Sequence, residues 1–267
     1  MYFSSERVSV KPLEMNSCGI QQLGDRDRTM LRRDGRVDYH VLYIMKGTCY
    51  LTEAEGEIAV PEGNLVLYLP GERQEYAFRA VDDTVSGYIH FSGTEVPEIF
   101  GRLGLSGRVI AVGESGEAER VFREMASEYQ LKKPFWEDAC AALLLRFLAL
   151  AGRLSRDLAA GVAPALRHRM DDVCRAMHRE AAENRSVGDY ARMCHLSEGR
   201  FTHAFKESTG LSPKQYMMRI KVDAACQLLA GTGLSVAEVA AAVGIEDVNY
   251  FSRLIKKYTG RSPSAQR

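Results

Sequence analysis

The chain has no CxxC pair, no HxH pair, one tryptophan and only 8 prolines in 267 residues. Each shortage removes a class of protein. Cysteines stand at positions 18, 49, 140, 174, 194 and 226 without paired spacing. That fits neither a zinc ribbon nor a redox motif, and a chain this long needs no disulfide framework. They read as small buried thiols. No apolar run reaches bilayer length, because the longest, residues 139–152, is interrupted by Arg146. The opening residues MYFSSERVSVKP lack the apolar centre of a signal peptide, so the expected compartment is the cytoplasm. Net charge is missing too, with 35 basic and 35 acidic residues.

That zero is a cancellation. Residues 167–267 carry five Lys and eleven Arg against five Asp and six Glu, a net +5, which leaves −5 on residues 1–166. An acidic front and a basic back suggest that the back half meets a polyanion.

The back half also repeats itself. At an offset of fifty, Phe201 pairs with Phe251, Lys206 with Lys256, Gly210 with Gly260 and Pro213 with Pro263. Phe205 pairs with Ile255, Thr209 with Thr259 and Ser212 with Ser262. Upstream the offset is forty-nine: Ser186 with Ser235, Ala191 with Ala240, Leu196 with Ile245. A structural unit has been used twice.

One unit can be read residue by residue. Ser235 with Glu238 forms a capping box that starts a helix. Val236, Val239, Ala240 and Val243 give it an apolar stripe, and Gly244 ends it. A second helix runs from about Val248 to Tyr258 with Tyr250, Phe251, Leu254 and Ile255 inward, stopped by Gly260. In the first copy Ser186 is the cap, Val187, Tyr190 and Ala191 face inward, and the second helix covers about Glu198–Ser208 around Phe201 and Phe205. Two short helices joined by a tight turn make a helix-turn-helix, here at about 186–208 and 235–258. Between the copies, Pro213–Leu229 is expected as one helix with Tyr216, Ile220, Ala224 and Leu228 on a face, roughly 25 Å long. Successive faces of one DNA groove recur about every 34 Å, so such a rod could hold both second helices at adjacent major grooves.

The stretches LSEGRFTHAFKESTGLSPKQYMMRIKVDAACQLL and SVAEVAAAVGIEDVNYFSRLIKKYTGRSPSAQR resemble the paired helix-turn-helix domain of the AraC/XylS transcriptional regulators. The resemblance implies base contacts from Gly199, Thr202 and His203, and from Val248, Asn249 and Arg253. Arg takes guanine bidentately, Asn prefers adenine and Val packs on a thymine methyl. Arg200, Lys206, Ser252 and Lys256 also face out of the apolar stripe; Ser, Thr and Lys suit phosphates. Gly199 has no side chain to offer, and His203 stands where many family members carry Arg, so the second reading helix is expected to be the stronger. Ile245 and Ile255 replace the usual Phe and keep the packing apolar.

Residues 36–91 read as short strands between Gly, Pro and Asn turns, a β-sandwich or barrel. The phrase DYHVLYIMKG…PEGNLVLYLPGERQEY…GYIHFSG resembles the cupin-like ligand-binding domain that precedes this DNA-binding module in sugar-responsive relatives. Cupin metalloenzymes need a His and carboxylate cluster. Here His40 and His90 stand alone in the sequence, and Gln74 replaces the His often found after PGE, so no metal, no cofactor and no catalytic residue is expected. Tyr39, Tyr43, Tyr68, Tyr76 and Tyr88, with His40, Gln74 and His90, supply flat faces and polar tips for a small polar effector, and strand alternation must send some of them elsewhere. Helices are expected at 116–131 and 136–154. The second is rich in leucine, and Leu143, Leu144, Phe147 and Leu150 are candidates for pairing two chains.

The expected architecture is α+β in two domains. Residues 1–110 form a cupin-like effector domain, 111–154 a helical, dimerising segment, 155–166 a linker, and 167–267 an all-α DNA-binding domain. The partners implied by the resemblance are double-stranded operator DNA, a small effector of the sugar type, a second copy of the chain and RNA polymerase, with no membrane. Two alternatives differ in class: a metal-dependent cupin isomerase or oxygenase fused to a DNA-binding tail, and a DNA-bending protein without an effector.

Overall fold

Among the described residues, nine strands and three α-helices build the first part of the chain. The strands are β1 (Glu14–Gln22), β2 (Arg28–Arg32), β3 (Tyr39–Lys46), β4 (Thr48–Glu53), β5 (Gly56–Pro61), β6 (Asn64–Tyr68), β7 (Gln74–Phe78), β8 (Val85–Ser92) and β9 (Val109–Ala111). They pair antiparallel in two sheets, ordered β1-β8-β3-β6-β9 and β2-β7-β4-β5. The helices are α1 (Val96–Leu103), α2 (Gly116–Leu131) and α3 (Trp136–Ala159). The computed structural model describes residues 10–266 except the side chain of Pro164, so the expectation about the extreme N-terminus lies outside the described residues. The chain divides into two compact units between Gly161 and Val162.

Period-two alternation along β3 and β8 creates two cores at once. Val41, Tyr43, Ile89 and Phe91 face α1, α2 and α3, where they join Phe100, Phe122, Leu144, Phe147 and Leu148. Leu42, Ile44, Val66, Tyr68, Tyr76 and Phe78 fill the space between the sheets. Close approach of α2 to the five-stranded sheet needs Gly87, since a Cβ there would lie 2.4 Å from the Phe122 ring. Ser115 opens α2 by accepting from the Ala118 N–H.

Several expectations change here. Strands β1, β2 and β9 lie outside the 36–91 stretch. Polar residues on the inter-sheet side of β1 and β2 blur the apolar alternation that marks a strand. Leu144 and Phe147, proposed as dimer contacts, are buried in their own unit's core, and Leu143 and Leu150 are partly covered by it. The α3 stripe is wide because it covers a sheet and two helices. The expected linker at 155–166 shrinks: α3 continues to Ala159, Gly161 takes a left-handed φ of 67°, and Pro164 begins the next helix.

The second unit is helical: α4 (Pro164–Arg179), α5 (Val187–Met193), α6 (Glu198–Thr209), α7 (Pro213–Gly231), α8 (Val236–Ala242) and α9 (Val248–Thr259). The sequence repeat is a repeat of hydrogen bonds. Gly210 and Gly260 both take φ of 76° and close the last turn onto Lys206 and Lys256. Thr209 Oγ1 donates to the Phe205 carbonyl at 2.8 Å, and Thr259 Oγ1 donates to the Ile255 carbonyl at 2.8 Å. Capping boxes start α5 (Ser186–Asp189), α7 (Ser212–Gln215) and α8 (Ser235–Glu238). Each copy has its own core: Tyr190, Phe201 and Phe205 in one, Val239, Phe251 and Ile255 in the other.

Helix α7 belongs to both cores. Ile220 packs in the first, and Val222, Ala225 and Leu229 pack in the second, so the buried face turns along the helix instead of following the single expected stripe. Tyr250, expected inward, is exposed, its hydroxyl 3.8 Å from the Met218 sulfur. Phe251, Leu254 and Ile255 already complete the buried stripe of α9, and Tyr250 falls at its edge.

Candidate functional site

The buried stripes of α6 and α9 fix which side chains point outward. On α6, Gly199, Arg200, His203 and Lys206 are exposed and Thr202 is half-buried. On α9, Val248, Asn249, Arg253 and Lys256 are exposed and Ser252 is half-buried. The structure therefore gathers all ten sequence-chosen residues on the two outer helix faces. The faces are unequal. His203 Nδ1 lies 3.4 Å from Glu207 Oε2, so an acidic group stands on the outer face of α6. Arg253 has no carboxylate within ion-pair distance among the described residues, and Asp247 is occupied at the N-terminus of α9, accepting from the N–H groups of Asn249 and Tyr250 at 2.8 and 3.0 Å.

One residue that sequence reasoning passed over ties the two copies together. Lys221, in the middle of α7, is 2% exposed. Its Nζ donates to the Val243 carbonyl at 2.8 Å, the Gly244 carbonyl at 3.3 Å and Asn184 Oδ1 at 2.9 Å. A cation thus meets the negative end of α8 and the loop before α5 together. Burial pushes the ammonium pKa down. The turn is equally tight at Gly244, where φ is 71° and a Cβ would lie 2.4 Å from the Ala182 carbonyl oxygen. A lysine within an apolar stripe carries no sequence signal of this role beyond its position.

In the first unit a cavity of about 570 Å³ opens between the sheets. Of the expected effector residues, His40, Tyr76, Tyr88 and His90 line it. Gln74 is fully buried beside it, its Oε1 3.0 Å from Arg32 Nη1 and 3.3 Å from His40 Nδ1. Tyr68 stacks on His40 at 5.8 Å behind the cavity lining, and the Arg108 guanidinium lies 4.2 Å from the centre of its ring. Tyr43 and Tyr39 are on the opposite face of β3, packed against Phe122 and Phe147 and against Phe91 and Phe100. The parity of the strand decides this: His40 and Leu42 face one way, Tyr39, Val41 and Tyr43 the other.

His40 and His90 do not stand alone in space. They are cross-strand partners on β3 and β8, with ring centroids 4.5 Å apart. Burial holds the His90 imidazole down to about 3, helped by the charges of Arg36 and Arg32, and burial likewise holds His40 well below its ordinary range. Both rings are neutral at pH 7. Ser17 Oγ lies 2.6 Å from His90 Nδ1, while His90 Nε2 and Gln74 Nε2 are buried without a partner among the described residues. Tyr88 reaches the cavity because its cross-strand neighbour is Gly19, where a Cβ would lie 2.7 Å from the tyrosine hydroxyl. Sequence reasoning missed Arg28, Arg32 and Arg36, which also line the cavity. They sit on or beside β2, whose polar pattern concealed the strand.

The six cysteines are free; four are buried and two half-buried. Burial raises the thiols of Cys18 and Cys49 to about 12. Among the described residues no helix is long and apolar enough to cross a membrane.

Comparison with known proteins agrees with this division. Residues 190–267 match a family model described as a helix-turn-helix domain, and residues 16–148 match the AraC-like ligand binding domain. The MmsAB operon regulatory protein of Pseudomonas aeruginosa is 31% identical, over 98% of this chain and 86% of its own length. The arabinose operon regulatory protein of Salmonella typhimurium is 25% identical, over 92% of this chain and 89% of its own. Among solved structures, the DNA-binding domain of AdpA in complex with a target DNA matches 36% of this chain and 87% of that chain, at 26% identity and a TM-score of 0.35. With both family models matched in order, and a relative of that identity along nearly the whole length, the chain belongs to the AraC family of DNA-binding transcriptional regulators that carry a ligand-binding domain.

Proposed function

We propose that the chain is an effector-responsive regulator in which α6 and α9 read adjacent turns of one major-groove face. The observation that carries this reading is the doubled frame: two outward helices with matched glycine stops and matched threonine bonds, joined by the single rod α7, about 28 Å long by its 19 residues. Arg253 and Asn249 are the principal base readers, Val248 contacts a thymine methyl, and Arg200, Lys206, Ser252 and Lys256 hold phosphates. Thr202 and His203 make weaker contacts, and Gly199 lets the backbone approach. The front cavity binds a small polar effector, and the name of the arabinose operon relative supports a sugar-like molecule. The protein works in the cytoplasm as a homodimer that contacts RNA polymerase, with no catalytic step of its own.

Selection from a random duplex pool with the full-length protein tests the DNA reading. A bipartite motif with half-sites about one helical turn apart is expected. Enrichment of no motif, or of a single short element that Arg253→Ala binds equally well, would contradict it. Effector coupling is tested on the selected site, where an occupied cavity must change operator affinity or half-site choice.

A further inference from the structure

Among the described residues, the cavity between the sheets is lined by three arginines and by no aspartate or glutamate. Two of the three are already neutralised. Arg36 forms a two-pronged pair with Asp38, at 2.6 and 3.2 Å, and Arg28 pairs with Asp25 at 3.0 Å. Arg32 differs. It ends β2 opposite Gln74 on β7, and its Nη1 donates to the neutral Gln74 Oε1 at 3.0 Å. Among the described residues no carboxylate comes within 4.0 Å of it. A half-buried guanidinium supported only by neutral groups is an unmatched charge, and its own structure leaves donors unused.

The surroundings continue that pattern. The two imidazoles of the cavity, His40 and His90, are neutral, so they do not add a second cation. With the Ser17 hydroxyl donating to His90 Nδ1, the His90 Nε2–H is a buried donor without an acceptor among the described residues. Tyr76 and Tyr88 hydroxyls add two more polar tips, and Met30, Leu42 and Phe78 give an apolar wall. Unsatisfied donors beside an unneutralised guanidinium fit an acceptor-rich, negatively charged group.

Building on the effector-domain reading, we propose that the effector is a small organic anion whose carboxylate or phosphate seats on Arg32, with His90 donating to it and its carbon skeleton against Met30, Leu42 and Phe78. A neutral sugar satisfies hydroxyl partners but leaves the Arg32 charge unmatched; a sugar acid or a sugar phosphate satisfies both. The volume of about 570 Å³ accommodates a metabolite of that size.

Thermal unfolding of the full chain, followed by fluorescence of Trp136 in the first unit, tests this against Arg32→Gln. The first arm replaces chloride by inorganic phosphate or by citrate at constant ionic strength. General salt effects act equally on both proteins, so the difference between them is the readout. Wild type is expected to gain at least about 2 °C over the variant. Equal responses overturn the proposal. The second arm compares D-glucose, D-gluconate and glucose 6-phosphate, which separates carboxylate from phosphate. Stabilisation by either anion that is lost in Arg32→Gln supports the assignment. Stabilisation by glucose but by neither anion overturns the anionic effector and leaves the effector-domain reading standing. If nothing shifts wild type in either arm, both fall. Arg32→Gln must unfold within a few degrees of wild type in chloride; if it does not, Arg32→Lys, which keeps charge but loses the planar fork, replaces it with the same expected loss of preference.

Discussion

Acid should loosen the first unit through His90. This imidazole is buried between the sheets, and burial, with the charges of Arg36 and Arg32, lowers its pKa from 6.5 to about 3. In the unfolded chain it returns to about 6.5. Between those values the unfolded chain binds a proton that the folded one does not. The contribution of the neutral ring is therefore complete above pH 6.5 and is lost as pH falls toward 3. Integrating that difference from pH 7.5 to pH 5 gives a loss of about 2 kcal/mol from His90 alone. His40, lowered for the same reason, adds in the same direction. The single tryptophan, Trp136, packs edge-on against Tyr129 at 5.7 Å at the start of α3, so its fluorescence follows this unit. Urea unfolding of dialysed full-length protein at pH 7.5 and 5.0, in wild type and His90→Gln, isolates the effect. Carboxylates titrate in both proteins and cancel in the comparison. The decline is expected to be smaller in His90→Gln by about 2 kcal/mol, which is about 1 M in urea midpoint. Identical pH dependence in the two proteins would refute the neutral buried imidazole.

Arg253→Ala should weaken the selected operator by about 1–3 kcal/mol and relax preference at one base pair, read by competition against single-substituted sites. An equal loss on random duplex would reassign Arg253 to a phosphate. Lys256→Ala should instead weaken all sequences alike and reduce the salt slope by about one. Glu207→Gln, which removes the carboxylate 3.4 Å from His203, should tighten binding several-fold at low salt, with the gain shrinking as salt rises. An unchanged affinity at every salt concentration would show that this carboxylate lies away from the DNA. Lys221→Met keeps the apolar stem but orphans the Val243 and Gly244 carbonyls and Asn184, and should cost about 1–3 kcal/mol. Helical ellipticity should register that loss while the Trp136 transition stays in place.

The back half was legible because its signals are local. Helix starts and stops depend on Ser, Glu and Gly within four residues of each other, and the repeat displays each signal twice. Ser235–Glu238 and Gly260 could be placed without a partner in space, and the outward positions of α6 and α9 followed from a 3.6-residue period. Tyr250 was the exception, since a residue at the edge of a stripe is buried or exposed according to the neighbouring helix. The turning face of α7 was hidden for a related reason: one helix shared by two cores has no single period.

The front half was legible only as strands and turns. Which of its aromatic residues meet the cavity depends on strand parity against two different coverings, and parity is fixed only when the sheet registers are known. Tyr43 went to the helices and His40 to the cavity, three residues apart on one strand. The pairing of His40 with His90, fifty residues distant, comes from cross-strand register alone. Arg32 was invisible because charge in a strand reads as surface until the opposite sheet closes over it. Leu144 and Phe147 looked free for a second chain until their own sheet was seen to use them. Local hydrogen bonding and helical period wrote the DNA-binding half into the order of residues, whereas long-range antiparallel register chose the lining, the charge and the shape of the cavity.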